Sequence, residues 1–283
     1  MHYHVLNFLT CISILTGCDT PQAATEPLPI NAVETTSLQD FERLAFTESQ
    51  KGNYPKAIEY ARKIITQNPN SLEAILLVGD ASFMMGDMKQ SIESFDRAIE
   101  IQPQLEPQLW QRGLALYYAG RFRDGQAQFE THQSYNSQDV ENAVWHILCT
   151  SKTVGLEKAR ETFIPITDDT RVPMKQIHKL FGGTGDVGSV FQAAQETPAL
   201  ARSKAFQLYY AHLYTGLYYD MIGDRENSIL QMRKASKLNP ISKSQLMGSV
   251  ADVHLMMRAA PKKEGTLKKG GTPKAPAGDA SDR

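Results

Sequence analysis

The chain has almost no net charge. Its 283 residues carry 30 basic and 31 acidic side chains, which argues against nucleic acid as a main partner. It also lacks a long apolar run, since the hydrophobic stretch at 5–14 is about ten residues, well short of the ~20 that a membrane span requires. Cysteine is scarce, with Cys11, Cys18 and Cys149 the only three. Chemistry-bearing clusters are thin as well. His146 and Cys149 stand three apart on a predicted helix, but no third ligand or orienting acid lies nearby in sequence, so a packed helix face is the expectation. The GGTGD run at 182–186 lacks the lysine of a phosphate loop and follows no predicted strand; it reads as a turn. Acidic residues are spread over helix surfaces, and no pair stands out for acid and base work. These gaps point away from an enzyme, with no catalytic residue, metal site or cofactor expected.

What the chain does have is a period. Gly52, Gly86 and Gly120 are spaced 34 residues apart, twice in succession. Seven residues before each stand Ala45, Gly79 and Gly113, small side chains where two helices approach closely. Five after come Ala57, Ser91 and Gly125, and nine after come Ala61, Phe95 and Phe129. Pro69 and Pro103 close the first two units, with Ser137 in that place in the third. The units are 38–71, 72–105 and 106–139, each a helix, a tight turn at the glycine and a second antiparallel helix. The glycine supplies the left-handed turn, and Asn53 or Asp87 after it is expected to cap the next helix, whereas Arg121 caps the third poorly. Gly216, Gly223, Ser228, Ala235 and Pro240 repeat the template in a fourth unit at 209–242, displaced by one residue from register. The region 140–208 reads as irregular helices near 140–150, 156–163, 174–181 and 186–195. The apolar stretch 246–257 is expected to form a capping helix within the 209–258 unit.

These residues resemble the tetratricopeptide repeat family, which implies an all-α helix-turn-helix solenoid with a C-terminal capping helix. In that family the first helix of each unit lines a concave groove. The positions carried over are Glu42 and Phe46, then Glu73, Asp80, Phe83 and Met84, then Trp110, Tyr117 and Tyr118. The implied wall is aromatic and acidic, without the basic clamp that holds a terminal carboxylate. It suits a peptide with apolar anchors and a basic residue. Packing of the aromatics against a neighbouring helix is the alternative.

The N-terminus carries a second resemblance. Leu15, Thr16, Gly17 and Cys18 resemble a bacterial lipobox, although MHYH before them lacks the usual Lys or Arg. The resemblance implies a signal peptide at 1–17, lipidation of Cys18 and a bacterial cell membrane location, facing the periplasm or the cell surface. Asp19 resembles an inner-membrane retention signal, and the choice of membrane stays open. With Cys11 removed and Cys18 lipidated, Cys149 is left without a disulfide partner. Residues 18–37, with Pro21, Pro27 and Pro29, read as a tether, and 259–283, with five lysines, as a disordered basic tail. Lipobox, tether, three early repeats, RGLALYYAGR at 112–121 and the late YTGLYYDMIGD together resemble the NlpI-type tetratricopeptide lipoproteins. That likeness implies a homodimeric adaptor or scaffold for envelope proteins, such as proteases or peptidoglycan enzymes. A structural subunit of an outer-membrane or secretion assembly complex is the alternative.

Overall fold

A computed structural model describes residues 37–238 and 246–259. Cys18, the expected signal and tether, Pro240 and the 260–283 tail lie outside the described residues. Every regular element among the described residues is a helix, and none of these helices is long and apolar enough to cross a membrane.

Three antiparallel pairs come first: α1 (Leu38–Gln50) with α2 (Tyr54–Gln67), α3 (Leu72–Met84) with α4 (Met88–Ile101), and α5 (Trp110–Tyr118) with α6 (Phe122–Gln133). A short 3-10 turn, Pro103–Gln108, leads into α5. The periodic glycines are the turns, at φ of +75°, +80° and +76°, a region that residues with a Cβ rarely occupy. The other recurring positions explain each other. A Cβ on Gly79 would lie 2.8 Å from the Phe95 ring, and one on Gly113 would lie 2.5 Å from Phe129. The aromatic of the second helix therefore rests on the bare backbone of the first, and in α1 and α2 the paired small residues Ala45 and Ala61 are both buried. Gly216 and Met232 repeat the contact in the fourth pair.

Capping follows expectation at Asp87, which accepts from the Gln90 amide, and at Arg121, which makes no cap bond. Asn53 departs from it. Its side-chain amide donates to Glu48 at 2.7 Å and so does not cap α2, whose start rests instead on Pro55 in its first turn.

The middle consists of α7 (Val140–Val154), α8 (Leu156–Glu161), α9 (Met174–Phe181) and α10 (Val187–Glu196). Its helices fall close to the expected segments. An ionic hub holds this region: the Arg171 guanidinium donates to Asp139 at 2.5 Å, Glu141 at 2.6 Å and Asp169 at 2.6 Å, and Asp169 accepts from the Val140 amide. The segment before α9 is thus strapped to the start of α7. The fourth pair is α11 (Ala201–Ile222) with α12 (Arg225–Leu238). α11 is one 22-residue helix that runs through the expected boundary at 208. Finally α13 (Leu246–Ala259) packs on α12 and also on α3, far away in sequence. Trp145 of α7 sits in the main core, its ring near Tyr117, Tyr118 and Phe129.

Candidate binding surface

The first helices of the pairs each present one stripe of residues at spacings of three and four. On α3 the stripe is Glu73, Leu76, Leu77, Asp80 and Met84. Along the 3-10 turn and α5 it is Pro107, then Trp110, Leu114, Tyr117 and Tyr118. The structure divides this wall into an open half and a closed half.

In the open half lie Glu42 and Glu73, both exposed, and Phe46, which is 56% exposed. Asp80 and Trp110 are half-buried beside them in the pattern. Asp80 is chemically unusual. Its Oδ1 is closed off from solvent and has no hydrogen-bond partner, and with no charged group close by, burial pushes the carboxyl up to about 7. Gln111, next to Trp110, likewise has a buried Oε1 without a donor.

The closed half holds the remaining expected groove residues, and here the open-wall expectation is corrected. Phe83 and Tyr117 have no exposed surface, and Tyr118 and Met84 are 5% and 7% exposed. The reason is long-range packing. The Tyr117 hydroxyl donates to Asp220 of α11 at 2.9 Å, and the Tyr118 hydroxyl shares a 3.1 Å hydrogen bond with His254 Nδ1 of α13. The other ring nitrogen of His254 bonds the Ser228 hydroxyl of α12 at 3.2 Å. The Arg258 guanidinium lies 5.7 and 5.8 Å from the centres of the Tyr117 and Tyr118 rings, a cation–π arrangement, and pairs with Asp220 at 3.4 Å. Met256 comes so near Gly86 that a Cβ there would meet its sulfur at 2.6 Å. The protein's own last helix therefore occupies the wall where α3 and α5 end. Burial pushes His254 down to about 4 and lifts both tyrosine hydroxyls well above their ordinary range. A cleft of about 320 Å³ remains where α13 faces the turn after α1, lined by Gln50, Lys51, Tyr54, Met84, Ser249 and Asp252.

His146 and Cys149 are both buried on α7. His146 Nε2 bonds Glu130 at 3.1 Å, while Cys149 lies where a Cβ on Gly125 would touch its sulfur, and burial raises its thiol well above the ordinary range. A protonated, packed thiol is a poor nucleophile. Among the described residues no three His, Cys, Asp or Glu side chains are grouped to hold a metal ion.

Comparison with known proteins bears on the wall directly, because residues 49–117, from the end of α1 to Tyr117, match the family described as tetratricopeptide repeat. Over that segment the chain is similar to the family. Among solved structures the chain matches the crystal structure of MamA protein, 15% identical, with 71% of this chain and 91% of that chain covered and a TM-score of 0.42. No curated protein gives a significant match. The tetratricopeptide match contains Glu73, Asp80 and Trp110 as well as the buried Phe83, Met84 and Tyr117. Asp220, His254 and Arg258 were missing from the sequence-derived site. The one cue for them was the apolar stretch that marked α13 as a capping helix, and it does not say which surface the helix caps.

Proposed function

We propose that the protein is an adaptor that binds other proteins through the open half of its tetratricopeptide wall, anchored by lipid at a bacterial envelope. The observation that carries the binding role is the wall itself. Phe46, a large apolar side chain more than half exposed, stands at the same template position as Asp80, whose buried Oδ1 has no donor among the described residues. An exposed aromatic anchor and an unsatisfied acceptor on one repeat face are useful in an interface. The lipobox-like Cys18 and the NlpI-type likeness support the envelope setting and a homodimer.

Cross-linking in membranes, with identification of the captured proteins, tests the reading. Phe46→Ala and Trp110→Ala are expected to lose those partners while helicity stays unchanged. Capture of the same partners by both variants refutes a role for this wall. Cys18→Ala is expected to move the protein out of the membrane fraction, and retention there refutes the anchor.

A further inference from the structure

Asp80 does not behave as a structural acid. Buried carboxylates normally accept hydrogen bonds or face a cation, and the chain supplies examples: Asp169 and Glu141 both bond Arg171, and Asp220 accepts from Tyr117 and pairs with Arg258. Asp80 has neither on its Oδ1 and lies near no charged group, while its stripe neighbours Leu76, Leu77 and Met84 are apolar. Replacing it by a leucine would continue that stripe. A ligand that satisfies Asp80 must therefore bring donors, and the exposed acids Glu42 and Glu73 on the same repeat template favour positive charge.

We infer that Asp80 is the recognition point for a lysine or arginine side chain of an extended partner peptide, whose neighbouring apolar residue packs beside Phe46 or Trp110. The inference rests on the adaptor reading above and adds the chemistry of the partner. An ammonium offers three donors and a guanidinium five, and neither can accept, which matches a surface with surplus acceptors. Hydrogen bonds to charged groups contribute most where solvent is excluded, so Asp80 would outweigh the rim acids. An acidic or purely apolar peptide would leave the carboxylate buried and unpaired, and the wall would select against it.

The experiment uses the full chain in detergent and fluorescein-labelled peptides in which one lysine is flanked by leucine or phenylalanine. Each has a twin with norleucine in place of lysine. Wild-type protein is expected to bind lysine peptides at least about tenfold more tightly than their twins, as one charge-assisted contact implies. Asp80→Asn is expected to abolish that gap, whereas Phe46→Ala weakens both members of each pair. A gap that survives Asp80→Asn, or no gap in the wild type, overturns the inference. If Phe46→Ala still weakens binding in that case, the adaptor wall stands and only the role of Asp80 falls. Absence of binding by every peptide overturns both.

Discussion

Replacing Asp80 by asparagine should stabilise the protein at alkaline pH and much less in mild acid. In the folded chain burial pushes the carboxyl from an ordinary 3.8 to about 7, with no partner to offset it. In the unfolded chain the group ionises near the ordinary value. Between these limits the folded state holds a proton that the unfolded state has released, so stability falls as pH rises and the full penalty is present above about 7. At ~1.36 kcal/mol per pH unit the displacement corresponds to a ceiling of about 4 kcal/mol. Partial exposure of the residue reduces this to about 1–3 kcal/mol, the usual cost of an unsatisfied buried polar group. Urea melts at pH 8 and pH 5 measure it. The asparagine variant should unfold about 0.5–1 M later at pH 8, and only about a third as much later at pH 5, because most of the window between the two pKa values lies above pH 5. Equal stabilisation at both pH values would show that charge is not the cause, and destabilisation at pH 8 would show that the carboxylate has a donor after all. Either result removes the physical basis for reading Asp80 as a waiting acceptor.

Three further outcomes follow from contacts elsewhere in the fold. Gly113→Ala forces a methyl to 2.5 Å from the Phe129 ring and should cost about 1–3 kcal/mol, with partial recovery in the Gly113→Ala, Phe129→Leu double variant; urea melts of the four-member cycle give the coupling. His254 is held neutral, down to about 4, between Tyr118 and Ser228, with Arg258 and Asp220 facing it. Its contribution is therefore complete above its unfolded value near 6.5 and is lost as pH falls towards 4, worth about 3 kcal/mol over that window. Hydrogen exchange of α13 should speed up over the same range in wild type, and much less in His254→Gln. Arg171→Met leaves Asp139, Glu141 and Asp169 facing one another without a cation and should cost about 3 kcal/mol by urea melt; a change under about 0.5 kcal/mol would mean that the hub holds nothing together.

The helical pairs were legible because their rule is local. Gly79 with Phe95 and Gly113 with Phe129 are sixteen residues apart, and a single 34-residue template places both ends of each contact. The same template put Phe46 on an exposed stripe, where it lies. It failed at Asn53, because the residue type that caps a helix also serves a nearby carboxylate, here Glu48. It failed more consequentially at Phe83, Met84, Tyr117 and Tyr118. Tyr117 meets Asp220 across 103 residues and Tyr118 meets His254 across 136, and no repeat period encodes where the last helix of an array comes to rest. An aromatic on a helix face reads alike whether the surface meets solvent or a returning helix.

That return has a consequence for how binding is distributed. The aromatic pair Tyr117 and Tyr118 would make the strongest anchor on an open wall, yet it is satisfied internally by Arg258, His254 and Asp220, a set of polar and cationic groups of the kind that interfaces favour. A partner that binds there must first displace α13, losing the hydrogen bonds of His254 to Tyr118 and Ser228, the Arg258–Asp220 ion pair and the cation–π contacts among others. A partner that binds at the first repeats meets no such competitor among the described residues, because Glu42, Phe46 and Glu73 are exposed and the buried Oδ1 of Asp80 has no hydrogen bond to give up. The cheaper site is therefore the one with fewer aromatics. Specificity on that wall falls to the single buried charge rather than to the larger apolar area that the chain has already covered.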